Sequence, residues 1–193
     1  MSKTIDIIGF TGSLREKSYN MAALRAAKDL LPEDVSLEIL DLSELPFYNQ
    51  DLDREGPVDV VVAFKERIDK ADGILISTPE YNYSLPPVLK NALDWASRGS
   101  FRPLDGKPLA IMSVSQGLFG GARAQYHLRQ VCVGLNLQIL NKPEVFVAGA
   151  GGKFDSEGNL TDQSTGNFIK RLLEALAAKI RENRLLEEAA AQE

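Results

Sequence analysis

Ile5-Asp6-Ile7-Ile8-Gly9-Phe10-Thr11-Gly12-Ser13-Leu14-Arg15-Glu16-Lys17-Ser18-Tyr19-Asn20 joins an apolar run to a hydroxyl-rich turn, and a helical pattern starts at once behind it. Strand, polar turn, helix is the order in which an α/β protein builds a seat for a phosphate. Free backbone N–H groups and the helix dipole point at the anion. Ser13 and Ser18 add hydroxyl donors, and Arg15 adds a guanidinium fork matched to phosphate. Asn20 stands close enough to brace the loop or reach a ligand. The same residues also suit an ordinary helix start, with Ser18 as the N-cap and Arg15 in solvent.

Two larger nucleotide seats are excluded. Gly9-Phe10-Thr11-Gly12 lacks the third glycine and the spacing of G-x-G-x-x-G. No Gly-Lys-Ser/Thr follows the turn, and the one Gly-Lys pair, Gly106-Lys107, runs into Pro108. A small phosphate seat with neither signature points to a mononucleotide.

The composition bounds the rest. A chain of 193 residues with 44% hydrophobic and 25% charged content suits a single soluble domain spanning 1–193. The net charge of −5 argues against general nucleic-acid binding, which wants a basic footprint. One cysteine, Cys132, excludes an internal disulfide and a cysteine-only metal cage, and no metal is expected. Met1-Ser2-Lys3-Thr4 leads straight into a short apolar strand, with neither a signal pattern nor a membrane-spanning run, so a cytoplasmic protein is expected.

Outward from the opening stretch, apolar runs alternate with helical patterns. The strand-like runs are 4–10, 36–40, 73–77, 109–114 and 138–140, with 145–147 as a further short candidate. Ile7-Ile8, Ile74-Leu75-Ile76 and Ala110-Ile111 are consecutive apolar residues, as strands covered on both faces require. Helical stretches carry Ala23 to Leu31 ahead of Pro32, Val58 to Lys70 behind Pro57, and Val88 to Trp95 behind Pro86-Pro87. A fourth follows Gly120-Gly121, and the last holds Phe168 to Ile180, with a polar tail from about 182 expected to fray. Repeating strand–helix units predict a three-layer α/β sandwich of flavodoxin-like form, with a five-stranded parallel sheet in the order 2-1-3-4-5.

Such sheets bind ligands beyond the carboxyl ends of their strands, at the switch point. After the third strand comes Pro79-Glu80-Tyr81-Asn82-Tyr83-Ser84-Leu85-Pro86-Pro87, a stiff connection whose aromatics can flank a flat ring and whose amides can bond its edge. It could equally pack Tyr81 and Tyr83 against the domain. Glu80 reads as a structural acceptor rather than a base. After the fourth strand, Ser115, Gln116 and Gly117 offer polar groups and close backbone approach. One phosphate loop, one rigid aromatic loop and one small polar loop suit flavin mononucleotide (FMN). Its phosphate would lie on Ser13, Arg15, Ser18 and Asn20, and its ring between the Pro79–Tyr83 and Ser113–Gly117 loops.

These motifs, with Leu89-Lys90-Asn91-Ala92-Leu93-Asp94-Trp95 and Asn141-Lys142-Pro143-Glu144, resemble the NAD(P)H-dependent FMN reductase family, and within it the quinone and chromate reductase branch. The resemblance runs from the first strand to the last helix, leaving the acidic extension 184–193 as this chain's own. It implies non-covalent FMN and NADPH or NADH as cosubstrate. It also implies hydride passage through flavin N5 with no catalytic side chain, and a homodimer or homotetramer. Quinones lead as acceptors, with chromate, azo compounds and free flavin as further ones. The alternatives are a flavodoxin-type electron carrier without NAD(P)H chemistry of its own, and a flavin-free module that keeps the fold.

Other conspicuous residues read plainly. His127 is expected to be packed or at an interface, away from the three loops, and Cys132 to be a buried small hydrophobe. Asp51, Asp53, Glu55 and Asp59 read as a solvated loop, since their spacing fits no calcium loop. Arg123, Tyr126 and Glu144 are candidates for a charged interface network. Gly149 to Gly152 reads as a flexible connection, 155–159 as a turn, and Thr161 as the cap of the last helix.

Overall fold

The computed structural model describes residues 4–192; the chain start Met1–Lys3 and the final Glu193 lie outside them. Strands β1 (Ile5–Thr11), β2 (Val35–Ile39), β3 (Gly73–Thr78), β4 (Pro108–Val114) and β5 (Gln138–Ile139) form a parallel sheet in the order β2-β1-β3-β4-β5. The fifth rank is shared. β5 pairs only the start of β4, and β6 (Val145–Val147) pairs its end, from Met112 with Val145 to Val114 with Val147. The five expected ranks are therefore built from six strands, because the chain leaves the sheet at Leu140 and returns at Val145.

Helices α1 (Tyr19–Asp29) and α6 (Gln163–Ala190) pack on one face of the sheet through Ala23, Leu24, Leu172, Leu173 and Leu176. Helices α3 (Asp59–Lys70), α4 (Pro87–Ala96) and α5 (Ala122–Gly134) cover the other through Phe64, Ile68, Leu89, Leu93 and Leu128. β3 and β4 are buried along their whole lengths, which is why their sequences read as unbroken apolar runs.

Three local expectations are corrected. The acidic stretch begins with a short helix, α2 (Gln50–Glu55), whose N-cap Asn49 accepts from the Asp51 N–H at 3.0 Å; no residue of it is buried. Asp162 rather than Thr161 caps α6, accepting from the Thr165 N–H at 2.7 Å. Gly149–Gly152 is not slack: Ala150–Gly152 forms a 3₁₀ turn, and the buried Ala150 donates its N–H to Ser115 O at 3.1 Å. The last helix extends to Ala190. Arg181 pairs with Asp34 at 2.7 Å, Asn183 bonds Gln138 at 3.0 Å, and Arg184 bonds Asp72 at 2.7 Å, so the end of α6 is tied to the amino edge of the sheet. No helix among the described residues is long and apolar enough to cross a membrane.

Candidate functional site: a mononucleotide seat at the sheet switch point

β1 and β3 run side by side, and the loops that leave their carboxyl ends meet. Gly12 makes the meeting possible. A Cβ there would lie 2.3 Å from Pro86 Cγ and 2.8 Å from Leu89 Cβ, so only a bare backbone fits beneath the start of α4. Ser13 is buried, with its N–H on Thr11 Oγ1 at 3.3 Å. Leu14 to Lys17 are exposed, and their backbone N–H groups have no protein acceptor among the described residues. Ser18 caps α1, accepting from the Met21 N–H at 3.3 Å, and the first turn of α1 holds no acidic side chain. Open amides, a hydroxyl, a helix N-terminus and Arg15, held 5.4 Å from the Tyr19 ring centroid, are the donor set a phosphate monoester needs.

Asn20 takes the bracing part of the two that the sequence left open. Its Oδ1 accepts from Ser77 Oγ at 3.0 Å and Val114 N at 3.0 Å, and its Nδ2 donates to Val114 O at 2.9 Å. The last β3–β4 pair is Thr78 with Ser113, so Asn20 takes over the ladder one residue further on. It braces the ends of both strands beneath the seat and uses its carbonyl entirely within the fold.

The second loop is a tight turn. Tyr81 and Ser84 exchange two backbone hydrogen bonds of 3.0 Å, and the central Asn82 and Tyr83 have φ of 48° and 69°. Positive φ at both central residues is the geometry of a type I′ turn, uncommon at a tyrosine. Tyr81, Asn82 and Tyr83 stand exposed, Pro79 is buried, and Thr78 Oγ1 donates to Pro79 O at 2.9 Å. Tyr81 OH reaches Ser13 Oγ at 3.5 Å, bringing the aromatic loop onto the phosphate loop.

Glu80 is an acceptor within the fold. Its carboxylate does not face outward; it accepts from the N–H groups of Arg123 and Ala124 and pairs with the Arg123 guanidinium. Arg123 is thereby tied to this loop, and Glu144 is paired with Lys142 at 3.0 Å. His127 also lies against the loop, its Nδ1 3.0 Å from Ser84 Oγ, although the sequence separates them by 43 residues.

In the third loop Ser115 Oγ accepts from the Gly117 N–H at 3.0 Å, and Gln116 and Gly117 are exposed. Ser113, where that loop begins, and Gln125 on α5 support it from below. Gln125 Nε2 donates to Ser113 Oγ at 2.9 Å and Val145 O at 2.8 Å, and Ser113 Oγ donates to Gly120 O at 2.5 Å. Both are fully buried polar residues.

The model of the family described as NADPH-dependent FMN reductase matches residues 5–152, a span that contains all three loops. The chain belongs to that family. An NAD(P)H-dependent FMN reductase from Pseudomonas aeruginosa is 49% identical over 181 residues, covering 94% of this chain and 98% of its own. A 2-hydroxy-1,4-benzoquinone reductase from a Burkholderia species is 43% identical over 175 residues, covering 90% and 95%. Among solved structures, FerB, a flavoenzyme NAD(P)H:(acceptor) oxidoreductase from Paracoccus denitrificans, superposes with a TM-score of 0.85 at 30% identity, covering 93% and 98%. The three loops of the candidate site leave the carboxyl edge of the parallel sheet of this chain.

The lone cysteine stands outside this site. Cys132 is fully buried on α5, and burial pushes its thiol up to about 12, against a smaller opposing pull from Arg129. Its thiol is expected to react with a disulfide reagent at pH 8 only after denaturation. Rapid labelling of the folded chain would contradict this placement.

Proposed function

We propose that this chain is an FMN-dependent oxidoreductase that takes hydride from NAD(P)H and reduces quinones and related small acceptors. The observation that carries the reading is the joining of phosphate seat and aromatic loop, Tyr81 OH on Ser13 Oγ, with Asn20 bracing the ends of β3 and β4. When bound, FMN supplies the redox chemistry, accepting hydride from the nicotinamide and passing it on.

The chain's own residues bind and orient. Ser13, Arg15 and Ser18, with the amides of 14–17, hold the phosphate. Pro79 to Tyr83 and Ser115 to Gly117 line the ring. Asn20 and Glu80 serve from beneath, by fixing the loops. One domain, 1–193, carries the whole site, and the protein acts in the cytoplasm. It assembles as a homodimer or homotetramer, for which the exposed Leu118, Phe119 and Tyr126 offer an apolar surface.

Arg15→Ala tests the phosphate seat. Loss of a charge-assisted contact contributing roughly 1.5–3 kcal/mol should weaken FMN binding by about 10- to 150-fold. The side chain is exposed, so the melting temperature of the FMN-free chain should hardly move. Quenching of flavin fluorescence measures the affinity; an unchanged Kd would overturn the assignment.

A further inference from the structure

We propose that Glu80 is the positioning residue of the ring loop: its carboxylate caps α5 from outside the helix and thereby fixes the 79–84 segment against the turn that follows β4. The proposal rests on the reading of these loops as the FMN seat.

Helix α5 cannot cap itself. It is entered through Gly120 and Gly121, with φ of 56° and 84°, and no side chain bonds its first turn from the N-cap position. A Cβ on Gly121 would lie 2.7 Å from Ser113 Cβ, and one on Gly120 2.9 Å from the Phe146 carbonyl carbon. A serine or aspartate cap therefore has no room. Glu80 supplies the missing acceptor, its Oε2 3.0 Å from Arg123 N and 3.3 Å from Ala124 N, with a negative charge at the positive end of the helix dipole. Oε1 binds Arg123 Nη1 at 2.6 Å.

The same helix then holds the rest of the loop. The Arg123 guanidinium lies 3.9 Å from the Tyr83 ring centroid and 4.4 Å from that of Phe119, joining the second loop to the third. One turn later His127 meets Ser84. Between these anchors lie Asn82 and Tyr83 with positive φ, a conformation that persists only where its surroundings impose it. The Glu80 side chain is 12% exposed, so removing its charge leaves the Arg123 guanidinium partly buried without its partner.

Glu80→Gln keeps an acceptor for the two backbone N–H groups and removes the charge. Two readouts on the full chain separate positioning from mere folding: the FMN Kd, and the visible circular dichroism of the bound flavin, which reports the surroundings of the ring. The Kd should rise roughly tenfold or more, as expected for loss of a charge-assisted contact that fixes the loop, and the dichroism should change. Wild-type values of both, even with a lowered melting temperature, would overturn the proposal. Should Glu80→Gln fail to fold, Arg123→Lys keeps the charge but loses the fork and the stacking. It is expected to move both readouts the same way, and wild-type values there would equally overturn the proposal. Absence of FMN binding by the parent chain would instead overturn the FMN reading, and this inference with it.

Discussion

Asn20→Leu is expected to lower the thermal midpoint of the FMN-free chain by about 6–12 °C, the shift that a loss of about 3 kcal/mol produces in a domain of this size. Asn20 is 3% exposed and makes three hydrogen bonds, to Ser77 Oγ, Val114 N and Val114 O. Leucine has similar bulk and answers none of them. Each buried polar group left unpaired costs roughly 1–3 kcal/mol, and the Val114 groups lie where β3 no longer reaches. FMN affinity should fall as well, because the brace sits beneath both the phosphate loop and the end of β4. Thermal unfolding followed by circular dichroism, with and without FMN, measures both effects. A midpoint shift under about 2 °C would show that the brace matters little.

Gly12→Ala carries the second large effect, through shape alone. The added methyl would meet Pro86 Cγ at 2.3 Å, Leu89 Cβ at 2.8 Å and Leu89 N at 3.1 Å. Pro86 and Leu89 are buried at the start of α4, so neither can swing aside, and the phosphate loop has to move instead. Overpacking of this kind costs roughly 1–3 kcal/mol. The sharper consequence is for binding, since Ser13 and the amides beyond it shift with Gly12. The variant should lose its flavin on desalting while retaining a cooperative melt. Flavin retention equal to that of the parent chain would contradict the close packing of the two loops.

What the sequence disclosed, and what it withheld, follows from how far each signal reaches. Runs such as Ile74-Leu75-Ile76 announce a strand because burial on both faces leaves no polar position, and the order of the sheet follows from the strand–helix alternation. The loops of the site were legible because they stand immediately after those strands. Which groups Asn20 and Glu80 would serve was not. Each is settled by a partner distant in the chain, Val114 for Asn20 and the start of α5 for Glu80, and an amide or carboxylate in a loop reads the same whether it faces a ligand or the fold. A hint did exist for Glu80: a helix entered through Gly120-Gly121 has no cap of its own and has to borrow one. Helix α2 escaped because five polar residues and a single leucine, none of them buried, carry no apolar period; Asn49 was its only mark.

The central claim is tested most directly by an anaerobic visible spectrum of the chain reconstituted with FMN, desalted, and titrated with NADPH and with NADH. Retained flavin colour that bleaches directly to the two-electron reduced form, with at least one of the two donors, is the predicted result. Colour that persists with both donors, or no flavin retained after desalting, would contradict the account.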